Sequence, residues 1–208
     1  MKLYYSPGVC SLAPHIALHE AGVPHTSEKV DLKTKQFSGG DYRKINAKGS
    51  VPTLQLDNGD CLTEGPAILQ YIADQKPESN LVPKAGTWDR YRAQEWLNFI
   101  TSEIHKGFVP LFAADRWVAN KEGNEQLKAS AKEALGNKIS YLAEILEAHP
   151  YLMGANFSIA DAYLYTCLRW SDRVGIDLQR WTAIAKFMDR VSARPMVQAA
   201  LKAEGLVK

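Results

Sequence analysis

Short hydrophobic runs at the start of the chain alternate between the spacing of strands and the spacing of a helix. Residues 2–5 predict a strand, residues 11–21 have helical spacing and stop at Gly22, and residues 26–30 alternate as a second strand. Residues 33–45 are polar and interrupted by glycine, which predicts a loop with a short helical turn. This part of the chain therefore predicts a strand–helix–strand unit.

A second unit follows and begins with a hairpin. Residues 53–56 and 61–63 flank Asn58-Gly59, a pair that accepts the positive φ angles of a tight turn. Residues 64–74 then have the spacing of a helix. Together the two units predict a small mixed sheet, with one parallel strand pair, an antiparallel hairpin and helices packed on it.

The rest of the chain has an almost entirely helical pattern. Residues 78–86 contain proline and glycine and form the predicted linker between a first domain at 1–77 and an all-helical second domain at 87–208. Ser158 and Asp161 have the spacing of a capping box at the start of one helix. The predicted helices cover residues 88–112, 126–148, 158–174, 182–192 and 197–204. The fold class is therefore α+β.

Composition narrows the classes of function. The chain has 208 residues, is 46% hydrophobic, and has 25 basic and 23 acidic residues for a net charge of +2. This balance argues against a general nucleic-acid or anionic-membrane binder, and no apolar stretch is long enough to span a bilayer. Cys10, Cys61 and Cys167 are widely spaced, which predicts neither a disulfide framework nor a zinc site. With no signal-peptide pattern at the start, we expect a cytoplasmic protein, although a periplasmic pool stays open.

Cys10 is the first candidate for chemistry. It follows a strand and a Pro7-Gly8 turn and precedes a helix, where free backbone N–H groups and the helix dipole favour a thiolate. The alternative is a small buried residue chosen for packing. Ala13 occupies the position at which redox motifs of the thioredoxin type have a second cysteine, so an internal disulfide is not expected. A single thiol that binds or exchanges with another thiol fits the pattern.

Several motifs, in order along nearly the whole chain, resemble the bacterial beta class of the cytosolic glutathione transferases. They are KLYYSPGVCSLA at 2–13, GSVP at 49–52, LTEG at 62–65, WLNF at 96–99, EIHKGF at 103–108 and FSIADA at 157–162. The resemblance implies a thioredoxin-like N-terminal domain that holds glutathione and a helical-bundle C-terminal domain that lines a site for hydrophobic electrophiles. It also implies a homodimer that uses glutathione as co-substrate, with no other cofactor and no metal.

The resemblance assigns contacts with glutathione to two segments of the first domain. A cis Val51–Pro52 bond would present backbone N–H and C=O groups to the cysteinyl part of glutathione, like an added strand. Glu64 would pair with the γ-glutamyl ammonium, and the helix start at Gly65 would suit the α-carboxylate. Many relatives have serine in place of Gly65, which removes one hydroxyl.

Further site residues also follow from the resemblance. Lys35 is placed near the glycyl carboxylate, and His105 is expected to point at Cys10 and the glutathione sulfur and to lower the thiol pKa. Residues of the same helix assigned to the glutathione site are Asn98, Ser102, Glu103, Ile104 and Lys106, with Asn98 and Glu103 reaching it across the dimer. The remaining histidines, His15, His19, His25 and His149, are interpreted as structural or surface residues. Trp96, Trp117, Trp170 and Trp181 are candidates for the core, an interface or the second-substrate pocket.

We therefore predict a glutathione transferase that conjugates the glutathione thiolate to hydrophobic electrophiles. Two other functions stay open: a glutathione-dependent thiol–disulfide oxidoreductase that uses Cys10, and a non-catalytic protein that binds hydrophobic ligands. A thioredoxin-fold adaptor fits less well, because the helical domain has matching site residues.

Overall fold

The N-terminal part of the chain folds around a four-stranded mixed sheet. In the computed structural model, which describes residues 1–207, the strands lie in the order β2 (Thr26–Lys29), β1 (Lys2–Tyr5), β5 (Thr53–Gln55) and β6 (Cys61–Thr63), with β1 parallel to β2 and antiparallel to β5. The predicted strand–helix–strand unit and hairpin are therefore confirmed. Two further strands are β3 (Gln36–Phe37) and β4 (Gly40–Asp41).

The predicted loop at 33–45 has more structure than its sequence indicates. β3 and β4 pair as a short antiparallel ribbon, and a 3₁₀ turn over Tyr42–Lys44 follows. The Asp31 carboxylate accepts hydrogen bonds from the backbone N–H groups of Lys33 and Thr34, which turns the chain into this ribbon. Strands of two residues are too short to show an alternating pattern, so the sequence could not reveal them.

Eight α-helices of residues 1–207 follow the order of the seven predicted helices, because the helix predicted over 88–112 is divided in two. They are α1 (Leu12–Glu20), α2 (Gly65–Gln75), α3 (Trp88–Phe99), α4 (Lys106–Ala113), α5 (Lys121–Ala148), α6 (Ile159–Leu168), α7 (Thr182–Ser192) and α8 (Pro195–Ala203). Helix α5 begins five residues before its predicted start, because the Asn120 side chain caps it by accepting from the Gly123 N–H at 2.7 Å. No helix among residues 1–207 is long and apolar enough to cross a membrane.

The two parts of the chain are joined through α1. This helix packs against α2 beside the sheet and against α6 and α8 of the helical part, and every residue from Leu12 to Leu18 is buried. Burial on all sides explains why α1 has apolar residues around its whole circumference instead of along one stripe. The loop over residues 6–11 that leads into α1, called the Cys10 loop, is consequently held between the two parts of the chain.

The single helix predicted over 88–112 is interrupted. Between α3 and α4 the chain takes a π-helical turn over Ile100–His105. The hydroxyl of Thr101 donates to the Leu97 carbonyl at 2.8 Å and that of Ser102 donates to the Asn98 carbonyl at 3.0 Å, which competes with regular helix bonding at this turn. Such turns are frequent at functional sites, and His105 is the last residue of this one.

The helix predicted over 158–174 is also shorter than expected. α6 ends at Leu168, and a 3₁₀ segment over Ser171–Val174 follows, ending at Gly175 with φ +65°. The predicted capping box at Ser158 and Asp161 is confirmed. Because the helix ends early, Trp170 and Arg173 lie beside Gly8 in the Cys10 loop.

Candidate functional site

A cavity of about 490 Å³ lies between the sheet domain and the helical domain. Val9, Cys10, Leu32, Lys35, Gly49, Ser50 and Val51 line it from the N-terminal side. His105, Val109, Phe112, Ala113, Arg116, Trp170 and Arg173 line it from the helical side. The cavity therefore joins a polar end near Lys35, a central thiol and imidazole, and an apolar wall with two guanidinium groups at its edge.

Cys10 lies at the centre of this cavity, one residue before the Ser11 N-cap of α1. Its sulfur donates a hydrogen bond to the Val51 carbonyl at 3.2 Å. Burial raises the pKa of the Cys10 thiol to about 11, although the backbone N–H groups of Cys10 and Ser11 act in the opposite direction. The expectation that Cys10 is a thiolate at this helix start is thus wrong for the protein without glutathione. Removal of solvent destabilises the thiolate more than the helix N-terminus stabilises it.

The loop before Cys10 is held by residues far away in sequence. The Gly8 N–H donates to Glu204 Oε2 at 2.8 Å, and the Gly8 carbonyl accepts from the Trp170 indole N–H at 2.9 Å. Gly8 has φ +70°, and a β-carbon at this position would lie 3.3 Å from Arg173 and Leu206 side-chain atoms. Glu204 is not among the functional residues predicted from the sequence. Trp170 had no individual assignment there, and its indole N–H holds the loop before Cys10 in place.

His105 faces the cavity but provides no positive charge. Its Nδ1 lies 2.7 Å from the Tyr163 hydroxyl, and its ring meets Trp170 edge-on with centroids 5.0 Å apart. Burial, helped by the nearby Lys106 charge, lowers the pKa of His105 to about 4, so the ring is neutral at pH 7. Stabilisation of a Cys10 thiolate by a His105 cation is therefore not available. Sequence reasoning missed Tyr163, whose own pKa is raised by burial.

Lys35 and Val51 occupy the polar end of the cavity. Lys35 has φ +59°, and its Nζ donates to the Gly49 carbonyl at 2.8 Å. The Val51–Pro52 peptide bond is cis, as the resemblance implied. Lys35, Val51, Cys10 and His105 are thus brought together by the fold from four separate segments of the chain.

Glu64 and Gly65 lie beside the start of α2 but outside the cavity wall. Glu64 has φ +72° and is exposed, and its carboxylate pairs with the Lys48 ammonium. The same ammonium donates to the Thr63 hydroxyl at 2.8 Å. Any ligand ammonium at Glu64 must therefore share the carboxylate with Lys48 or displace it.

The other residues assigned to the site on the 98–106 segment do not line the cavity. Asn98, Ser102 and Lys106 are exposed, and the Glu103 carboxylate pairs with Lys138 Nζ at 2.7 Å, which lowers the pKa of Glu103. Ile104 is fully buried in the hydrophobic core. The Ile104 side chain thus faces the core, and the assignment of this residue to the glutathione site stays a prediction.

Three comparisons with known proteins bear on this arrangement. Residues 8–75 match the family described as Glutathione S-transferase, N-terminal domain, and residues 99–195 match Glutathione S-transferase, C-terminal domain. Glutathione S-transferase GstA of Escherichia coli O157:H7 is 46% identical over 207 residues, which cover 99% of this chain and 100% of that protein.

Solved structures are similar over the whole chain. A sphingomonad glutathione S-transferase complexed with glutathione has a TM-score of 0.91 at 47% identity, and the match covers 100% of both chains. A bacterial beta class glutathione S-transferase of Sphingomonas chungbukensis has a TM-score of 0.92 at 47% identity, again over 100% of both chains.

Proposed function

This chain belongs to the beta class of the glutathione S-transferase family and is a glutathione transferase, and we propose that the cavity at Cys10 is where it binds glutathione. The observation that carries the proposal is the convergence of Cys10, Lys35, Val51 and His105 on one cavity of about 490 Å³. A similar protein, the sphingomonad transferase, was solved as a complex with glutathione.

In this proposal glutathione lies across the N-terminal side of the cavity. The Lys35 ammonium pairs with the glycyl carboxylate, and the Val51 backbone pairs with the cysteinyl residue in the manner of an added strand. Glu64 and the start of α2 at Gly65 receive the γ-glutamyl group. The Lys48–Glu64 pair is exposed, so its exchange for a ligand ammonium costs little.

We infer that the sulfur of glutathione, and not that of Cys10, is the nucleophile. The Cys10 thiol stays protonated because of its raised pKa, so it can donate a hydrogen bond to a glutathione thiolate after leaving the Val51 carbonyl. The neutral His105 ring, held at Nδ1 by Tyr163, has its Nε2 as a second group for the sulfur. Each unit by which such contacts lower the glutathione thiol pKa is worth about 1.4 kcal/mol.

The second substrate is proposed to be a hydrophobic electrophile on the helical side of the cavity. Val109, Phe112 and Trp170 provide its apolar wall, and Arg116 and Arg173 lie at the same wall. The thiolate forms a carbon–sulfur bond as the leaving group departs with its electron pair, or as an epoxide ring opens and takes up a proton. The proposed reaction uses glutathione as co-substrate and needs no cofactor. A cytoplasmic location stays a prediction, and the three free cysteines are consistent with a reducing compartment.

Replacement of Cys10 by alanine tests whether the sulfur of glutathione or that of Cys10 is the nucleophile. We expect kcat/KM for glutathione conjugation to 1-chloro-2,4-dinitrobenzene to fall by no more than about tenfold, the value of one weak hydrogen bond. Reduction of hydroxyethyl disulfide should fall by a similarly small factor, because the glutathione thiolate, and not the protonated Cys10 thiol, is the nucleophile in this proposal. Cys61→Ala, which removes an exposed thiol on β6, is the matched control and should change neither rate.

The opposite result would assign a larger role to Cys10. If Cys10→Ala loses conjugation by more than about a thousandfold while glutathione still binds, the Cys10 sulfur takes part in the reaction directly. If wild type binds apolar ligands but conjugates none of a panel of electrophiles, the proposal of catalysis at this cavity fails.

We propose that the homodimer forms through an exposed stripe of α3. Trp88, Tyr91 and Asn98 follow one another at helical spacing on α3 and are all exposed, with Trp88 at 75% and Tyr91 at 57% exposure. Ser102, also exposed, follows in the π-helical turn. Two large aromatic residues exposed on one helix face are typical of an interface. In this dimer we expect Asn98, which does not line the cavity of its own chain, to contact glutathione in the partner's cavity.

Trp88→Ala/Tyr91→Ala is expected to shift the chain from dimer to monomer in analytical ultracentrifugation. The reason is loss of two anchor side chains, each worth about 2 kcal/mol or more at an interface. Trp117→Ala removes a tryptophan of equal exposure to Tyr91, at 57%, from a different surface and is the control. A dimer that persists at nanomolar concentration in the double variant would place the interface elsewhere.

A further inference from the structure

Three histidines that the proposed reaction does not use form a cluster at the far end of α1. His15 and His19 are four residues apart on one face of this helix, and His25 lies just before β2. Their ring centroids are 5.2–5.6 Å apart in all three pairs. One ligand nitrogen from each ring lies within 4.8 Å of the other two.

Two of the rings are oriented by hydrogen bonds at Nδ1. His15, which is 1% exposed, has its Nδ1 3.0 Å from Glu204 Oε1, and His25 has its Nδ1 2.8 Å from the Val23 carbonyl. A carboxylate or a backbone carbonyl at one ring nitrogen is the usual support of a histidine that ligates a metal through the other. Nε2 is therefore the nitrogen that both rings have left for a ligand.

The third ring has an unexplained buried atom. His19 Nε2 is shielded from solvent and has no hydrogen-bond partner among the described residues. Buried polar atoms without a partner are rare, because each loses its hydrogen bonds to water and gains none in return. His19 Nε2 is therefore available as the third ligand nitrogen of the cluster.

We propose that His15, His19 and His25 bind one divalent transition-metal ion of the zinc type. Imidazole suits zinc, copper and nickel, and three nitrogens leave a fourth tetrahedral position for water. Zinc–nitrogen bonds of 2.0–2.1 Å bring ligand nitrogens to about 3.3 Å from one another, so the rings must move inward from their present spacing. His19 and His25, which are only partly buried, can rotate, whereas Glu204 holds His15 in place.

The ion has a route from solvent and a link to the rest of the molecule. His25 also lines a surface cleft of about 440 Å³ between the start of β1 and the hairpin. Glu204, which supports His15 through Oε1, accepts from the Gly8 N–H through Oε2 at 2.8 Å. One carboxylate thereby connects the histidine cluster to the loop that leads to Cys10.

Titration of the full-length chain, produced without a polyhistidine tag, with zinc sulfate in a calorimeter tests the site. Wild type should bind one zinc ion per chain. His19→Ala and His25→Ala should each weaken zinc binding by more than about tenfold. Loss of a residue that only hydrogen-bonds to a metal ligand already lowers metal affinity by about 10–100-fold, and these variants remove the ligand itself. His149→Ala, which removes an exposed histidine from another surface, should bind zinc as wild type does.

Cobalt distinguishes imidazole from thiolate ligands, which matters because Cys61 is exposed. The proposal expects the cobalt-loaded wild type and Cys61→Ser to have the same visible spectrum, with no sulfur-to-metal charge-transfer band. The proposal is overturned if wild type binds no zinc at micromolar concentration, or if that band is present. It is equally overturned if both histidine variants, shown to be folded by their unfolding curves, bind zinc with unchanged affinity.

Discussion

Replacement of Lys35 by glutamate is expected to raise the KM for glutathione by about a hundredfold, the scale of a like-charge contact that costs several kcal/mol. Lys35 lines the cavity, and its ammonium already contacts the Gly49 carbonyl at 2.8 Å. In the proposed complex the new carboxylate would face the glycyl carboxylate of glutathione. Because this contact is remote from the sulfur, kcat should change much less than KM.

Lys33→Glu is the matched control for this charge reversal. It lies two residues away in the same loop, is exposed, and changes the net charge by the same amount. Its KM for glutathione should stay within about threefold of wild type, as expected of a screened surface charge. A glutathione analogue esterified at the glycyl carboxylate should largely remove the difference between wild type and Lys35→Glu. Equal KM changes in both lysine variants would show that Lys35 acts only through the overall charge of the protein and not through contact with the glycyl carboxylate.

Asp161→Ala is expected to lower the free energy of unfolding by about 3 kcal/mol, because buried donors without an acceptor cost about 1–3 kcal/mol each. The Asp161 carboxylate is fully buried and accepts from the Leu152 N–H at 2.8 Å and from the Ser158 N–H at 2.8 Å. It also accepts from the Ser158 hydroxyl at 2.6 Å. Urea unfolding followed by circular dichroism would measure the loss.

The control for Asp161 is an exposed cap of similar chemistry. Asp177 accepts from the Gln179 N–H at 2.9 Å at the start of a 3₁₀ turn, and water can replace it there. Asp177→Ala should therefore cost no more than about 1 kcal/mol. Equal losses for the two variants would mean that burial of the Asp161 network adds nothing to the cap.

The same carboxyl gives a pH signature. Burial raises the pKa of Asp161 from 3.8 to about 6 in the folded chain, despite the hydrogen bonds from Leu152 and Ser158. Between these two values the folded chain binds more protons than the unfolded chain, so this contribution to stability is present below pH 4 and is lost as the pH rises through 6. Asp161→Asn has no titrating group here and should lack this component of the pH dependence.

Local patterns predicted the N-terminal sheet because each of its elements has its own sequence signal. Strand alternation at 2–5, the Asn58-Gly59 turn and the helical spacing of 64–74 are properties of neighbouring residues. The interruption of the helix at Ile100–His105 could not be predicted in this way, since Thr101 and Ser102 are compatible with either a regular helix or a π turn. Packing of that turn against α6 and α5 accompanies the irregular form.

The site shows the same division. Cys10 was predicted from its own position between a strand, a Pro7-Gly8 turn and a helix, whereas Lys35, Val51 and His105 were predicted through the resemblance of their motifs to a family. Tyr163 and Glu204 were not predicted as site residues, and Trp170 was one of four tryptophans without an individual assignment. The reason is that their partners lie 58, 189–196 and 162 residues away in the sequence, respectively. Nothing in the local sequence of a buried tyrosine or tryptophan says which loop its polar atom will contact.

By itself the sequence determined the order of elements, the family and the identity of the sulfur at the start of α1, because these depend on residue type and short spacing. The ionisation of Cys10 and His105 was decided by the tertiary structure, because a pKa depends on how much water and how many charges surround the group. The convergence of His15 and His19 with His25 was decided in the same way. Hydrophobic patterns tell which residues are buried, whereas charge, protonation and ligation depend on what else is buried beside them.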